Sequence, residues 1–231
     1  ARVEVPEVTA SSFHEAFPPL ADQGVQGTLS AIFHVSGSLR SPQLKSKITA
    51  EGIEFRGELG GNRVEIADAA FSGGFDYRPP RGNRGGLDAN ANVSWRGTEI
   101  LSGSADTPAP LATWINELID HPGREINWID RVSGLPFSLN LKAHNLSFDQ
   151  LPVEALAEAD AEGDIRVDLA ARGTFENPTI ALKAGVDDFG WNQYRDMYLD
   201  VDLEQQGDVL EITKMRFEWD ADEIFVARGT F

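Results

Sequence analysis

Two stretches of this chain carry one pattern. Shifted by 136 positions, GDIRVDLAARGTFENPTIALKAGVDDFGW (163–191) lies on GTLSAIFHVSGSLRSPQLKSKITAEGIEF (27–55). Gly163 falls on Gly27, Gly173 on Gly37, Pro178 on Pro42 and Lys183 on Lys47. Apolar residues alternate at the same places: Ile165, Val167 and Leu169 over Leu29, Ala31 and Phe33. A period of two is a strand period, and each stretch reads as strand, turn, strand. A unit used twice restricts the chain to repetitive β architecture.

An irregularity is repeated as well. Ile180, Leu182, Ala184 and Val186 step by two, and then Phe189 and Trp191 have the opposite parity. In the earlier copy Ile48 and Ala50 are followed by Ile53 and Phe55. A one-residue slip turns a strand's faces over, so a bulge or turn is expected at Asp187-Asp188 and Glu51-Gly52 to keep the apolar set on one side. A further slip is expected near Thr213-Lys214, where Leu210 and Ile212 give way to Met215, Phe217 and Trp219.

The remaining chain is organised around these copies. Residues 1–23 read as a leading strand and a linker with three prolines, 24–133 as a first β-repeat unit, and 134–231 as a second that continues into further strands. The stretch RPPRGNRGG (78–86) lacks the lysine and hydroxyl of a phosphate loop and reads as a long hairpin tip. Residues 107–121 break the rhythm. Leu111, Trp114, Ile115, Leu118 and Ile119 have helical spacing, Thr107 can cap, Pro108 suits the first turn, and Pro122-Gly123 can stop the helix. Its polar face carries Asn116, Glu117 and Asp120, which does not suit an anionic membrane surface. A second short helix is expected over Leu151–Ala159. A chain starting without methionine and ending inside a strand pattern is expected to be an excerpt of a longer protein.

Charge narrows the function classes. There are 37 acidic residues against 20 basic, a net charge of −17, which argues against binding a phosphate backbone or nucleic acid. Cysteine is absent, excluding disulfides and thiolate metal sites. The four histidines are far apart and outside any metal spacing, the acids lack the order of a calcium loop, and no nucleophile elbow occurs. No catalytic residue, metal ligand or cofactor site is expected.

The strands are apolar on one side and acidic or polar on the other. An apolar face must be covered, by a second sheet, by closure into a barrel, or by curling into a trough that holds something greasy. Periodicity leaves the three open.

The pattern Gly-x-Ile-x-Val-x-Leu-x-x-x-Gly-Thr-Phe-x-x-Pro-x-Ile at 163–180, looser at 27–44, resembles the TamB family of AsmA-like envelope proteins. The stretch LKAHNLSFDQLPVEALAEADAEG, 141–163, is similar to that family's strand–helix–glycine linker. The resemblance implies an all-β fold, a curled antiparallel sheet or β-taco with an apolar groove and one or two short helices. It implies a periplasmic protein of a diderm bacterium, held in the inner membrane by an anchor outside this chain. That protein would carry phospholipid between membranes and support outer-membrane biogenesis with an outer-membrane barrel of the TamA type. Under it, Leu29, Phe33, Val35, Ile165, Val167, Leu169, Leu199, Val201 and Leu203 would line the groove against phospholipid acyl chains. Two other readings stand beside it. One is a β scaffold that assists outer-membrane protein assembly by pairing with client strands. The other is an envelope carbohydrate-binding domain, which clustered exposed aromatics and acids would favour; in the sequence the five tryptophans are dispersed.

Overall fold

The structure is a computed structural model. It describes residues 1–9, 25–38, 40–59, 62–81, 84–121, 127–148, 151, 156, 158, 160–220 and 222–231. The described strands are β1 (Arg2–Thr9), β2 (Gln26–Ser38), β3 (Ser41–Leu59), β4 (Asn62–Arg81), β5 (Arg84–Trp95), β6 (Thr98–Thr107), β7 (Pro136–Ser147), β8 (Glu162–Thr174), β9 (Pro178–Trp191), β10 (Tyr194–Gln206), β11 (Val209–Trp219) and β12 (Asp222–Thr230). Helices α1 (Leu111–Asp120) and α2 (Trp128–Ser133) lie between β6 and β7. All twelve strands form one antiparallel sheet in chain order, β1 to β12. The fold is all-β, and the expected repeat units 24–133 and 134–231 are continuous through the pairing of β6 with β7.

The repeat is a repeat of structure. Strands β2 and β8, and the turns after them, begin at aligned places. Gly37 pairs with Pro42 as Gly173 pairs with Pro178. Gly27 and Gly163 have φ of 130° and 126°, and Gly52 and Asp188, aligned with each other, have φ of 59° and 50°. Registers shift between Ala50 and Ile53 on β3, and around Met197 where β10 meets β9. The bulges fall where the apolar phase slips, and they return Ile53, Phe55 and Phe189 to the face of their predecessors. The third slip also has its register shift: Lys214 pairs with Asp202, but Ile212 pairs with Leu203.

Three local expectations need correction. Thr107 is the last residue of β6, and α1 starts only at Leu111, capped by Pro110 with no side-chain hydrogen bond. Pairing to β5 and β7 holds the chain extended that far, and Pro108 and Pro110 delay the helix. The hairpin tip at 78–86 is shorter than expected, since pairing continues through Arg78↔Gly86 and Arg81↔Arg84. Pro79 and Pro80 fit because a register shift lies between Arg78 and Arg81, where no regular ladder bond is required. Helix α2 carries no clear periodicity and was not expected. Most of the helix expected over Leu151–Ala159, and Pro122-Gly123, lie outside the described residues.

The sheet neither packs on a second sheet nor closes. Every substantial contact between described strands joins consecutive ones. The curl into a U is also missing: the sheet is uncurled, and among the described residues no substantial contact joins strands across its apolar side. Exposure fits a single layer. The chain presents 14984 Å² to solvent, whereas a compact monomer of this mass presents about 10,000 Å². Tyr77 is the one large side chain fully buried among the described residues.

Candidate functional site

Register places an apolar row on every strand and joins the rows into one face. One line runs Val5, Ala31, Ile48, Gly73, Ala91, Gly103, Leu141, Leu169, Leu182, Leu203 and Ile212. A second line continues from Ala143 through Val167, Ala184 and Val201 to Met215. A third joins Leu146, Ile165, Val186, Leu199 and Phe217. All nine residues expected to line a groove therefore lie on this face: Leu29, Phe33 and Val35 on β2, Ile165, Val167 and Leu169 on β8, and Leu199, Val201 and Leu203 on β10. Eight are half-buried and Val35 is exposed. Neighbours within the sheet cover their flanks, and no second sheet lies over the face among the described residues.

The opposite face is polar and carries several cross-strand ion pairs. Lys142, Asp168, Lys183, Asp202 and Lys214 stand side by side across β7 to β11. Lys142 meets Asp168 at 3.3 Å, Arg166 meets Asp187 at 2.6 Å, and Lys214 pairs with Asp200. Opposite charges directly across a ladder favour this register over its neighbours. On β4, Arg78 donates to both carboxylate oxygens of Asp76, at 3.3 and 2.7 Å. That hydrogen bond, with the charges of Arg78 and Lys45, outweighs burial and holds Asp76 below the ordinary carboxylate range. A depressed carboxylate stabilises the fold above its unfolded value and loses that contribution as pH falls through its folded value. Arg78→Gln is expected to be less stable than wild type at neutral pH, with the gap closing as pH drops below 3.8. Thermal melts across that range check it, and a gap that persists in acid would assign Arg78 a packing role.

One end of the apolar face is covered by helices. Leu44, Tyr77 and Leu87 stand in register on that face. The Tyr77 hydroxyl accepts a hydrogen bond from the Ala112 N–H at 2.8 Å. It thereby satisfies one of the backbone donors that a helix leaves open in its first turn. From there α1 reaches the β2–β3 turn, where Arg40 meets Asp120 at 2.6 Å and Asn116 donates to the Arg40 carbonyl at 3.0 Å. The Asp120 hydrogen bond and charge raise the already high Arg40 pKa. Arg131 of α2 pairs with Glu117 of α1. Ser133 donates to Glu176 in the β8–β9 turn at 2.5 Å, and Phe175 beside it stacks on Phe137 at 4.5 Å. The amphipathic helix meets the sheet at its first turn, through a tyrosine that no sequence pattern marked, while Leu118 and Ile119 of its apolar stripe stay exposed.

The other end of the face is aromatic. Phe148 lies 5.5 Å from Phe189, Phe189 lies 6.4 Å from Trp191, and Tyr194 meets Trp219 edge-on at 5.3 Å. Trp191, Tyr194 and Trp219 are 39%, 44% and 42% exposed. Trp191 and Trp219, far apart in the sequence, thus lie at the same end of their strands, because alternate turns of an antiparallel meander return to that end.

Among the described residues no group of three histidine, aspartate or glutamate side chains is placed to hold a metal ion. No helix among them is long and apolar enough to cross a membrane. Searches of family models, curated proteins and solved structures return no match to this chain.

Proposed function

We propose that this chain is a non-catalytic, lipid-carrying segment of a bacterial envelope protein. Phospholipid acyl chains lie along the apolar face of the sheet and pass from strand to strand between the inner and outer membranes. The observation that carries this reading is the apolar face that strand register carries across the sheet, backed by a polar face. A methylene moved from water onto such a face gains about 0.8 kcal/mol when fully buried, so even a partly covered chain is held. The envelope location, the anchor outside this chain and an outer-membrane barrel partner rest on the resemblance to the TamB family.

A second reading, strand pairing with a client protein, is favoured by β12. Ile224, Phe225 and Val226 on it are 57%, 48% and 48% exposed, and β12 pairs on one side only, with β11. At the opposite edge, β1 contains Pro6 and a register shift between Val5 and Val8, which disfavour further pairing.

The test is purification from a bacterial envelope, solvent extraction, and photocrosslinkers at Phe33, Leu169 and Asp168. The expected result is bound phospholipid, with lipid adducts at Phe33 and Leu169 and none at Asp168, which lies on the polar face. A stable, lipid-free protein without adducts would reject lipid carriage in favour of the strand-pairing scaffold.

A further inference from the structure

The aromatic end of the sheet carries chemistry that acyl chains do not require. Trp219 pairs with Met197 and Trp191 with Tyr194, next to the Leu199–Phe217 pair of the apolar face. The aromatic patch is therefore continuous with that face. Beside Trp219 opens a concavity of about 450 Å³ whose wall includes Asp196, Asp220 and Asp222. Arg195 also reaches this wall, but its guanidinium is taken up by Asp160 at 2.5 Å and Glu162 at 2.6 Å. Among the described residues Asp196, Asp220 and Asp222 have no ion-pair partner. Exposed aromatic faces next to uncompensated carboxylates make a surface that attracts a cation and repels an anion.

Building on the lipid-carrying reading, we propose that this end binds the ammonium headgroup of an aminophospholipid whose acyl chains lie along β9 to β11. The ammonium sits against the Trp219 ring in the concavity that Asp196, Asp220 and Asp222 line, and the chains run onto Leu199 and Val201. A headgroup with phosphate as its only charge meets the same carboxylates as like charges. This end thus selects among lipids by headgroup, while the rest of the face is indifferent to it.

The test loads the purified chain from mixed micelles holding equal amounts of phosphatidylethanolamine and phosphatidylglycerol with identical acyl chains, and counts the bound lipids by mass spectrometry. Wild type is expected to enrich phosphatidylethanolamine about threefold or more, a modest differential for cation–π and carboxylate contacts at an exposed site. The triple variant Asp196→Asn, Asp220→Asn, Asp222→Asn is expected to bring the ratio to about one at unchanged total lipid, as is usual when a charge contact sets selectivity and not affinity. Trp219→Leu is expected to lower the ratio while keeping an apolar side chain. All three carboxylates are exposed, so the triple variant should fold. Lipid bound by wild type without preference, or a triple variant that keeps the preference, overturns the headgroup site and leaves the acyl-binding reading standing. Absence of either lipid from wild type overturns both.

Discussion

Tyr77→Ala is expected to unfold with about 3–5 kcal/mol less stability than wild type, the range seen when a large aromatic is deleted from a packed site. Most side chains of this sheet are half-buried, so deletions elsewhere remove less. Tyr77 is fully buried, between the apolar face and the start of α1. Its loss removes the packing and also the acceptor of the Ala112 N–H. Tyr77→Phe separates the two effects. It keeps the ring and is expected to cost about 1 kcal/mol for the unmade hydrogen bond. Urea unfolding of the three proteins measures the difference, and protease cleavage within 111–133 should rise in the order wild type, Phe variant, Ala variant. An alanine variant as stable as wild type would mean that α1 does not rest on the sheet through Tyr77.

Gly163→Val is the second large effect. The φ of 126° at Gly163 is one that L-residues rarely adopt. A Cβ there would lie 2.9 Å from the Asp187 carbonyl oxygen, 3.0 Å from the Phe189 Cα and 3.0 Å from a Val186 methyl. Two of these are backbone atoms of the facing bulge and cannot swing aside. Backbone strain of about 1–3 kcal/mol and overpacking of about 1–3 kcal/mol together predict a loss of roughly 2–6 kcal/mol. Gly27→Val should behave the same way, since its Cβ would meet the Gly52 and Glu51 carbonyls and the Ile53 Cα at 3.0–3.1 Å. Asp188→Gly supplies the opposite sign. Asp188 holds a φ of 50° where the first copy has Gly52, so glycine there should be neutral or stabilising by up to about 1 kcal/mol. Denaturant midpoints of these variants decide the point. A tolerated valine at both glycines would mean that the pairing of glycine with bulge is not a constraint of the repeat.

The strand pattern was legible because a side-chain period of two is local. Ile165, Val167 and Leu169 had to share a face whatever they packed against, and a change of parity at 187–188 had to be absorbed within the strand. The two copies confirmed each other, and both bulges lie where the parity changed. Long-range features were less legible. Thr107 looked like a cap because capping is judged from neighbours in the chain, but β6 keeps that residue extended. The real partner of the α1 backbone, Tyr77, lies 35 residues away from Ala112. The Tyr194–Trp219 contact was not legible because it depends on where the β9–β10 and β11–β12 turns fall.

By itself, then, the sequence determined that this protein is an antiparallel β repeat, where its bulges lie, and which nine residues share the apolar face. Those properties follow from alternation, glycine and proline, which act over a few residues. The tertiary structure decided what covers that face. Sandwich, barrel and trough all use the same alternating strands, so only the long-range contacts distinguish them. Here the sheet stays a single open layer, with helices pinned over one end by Tyr77 and Arg40, and aromatic rings and free carboxylates gathered at the other.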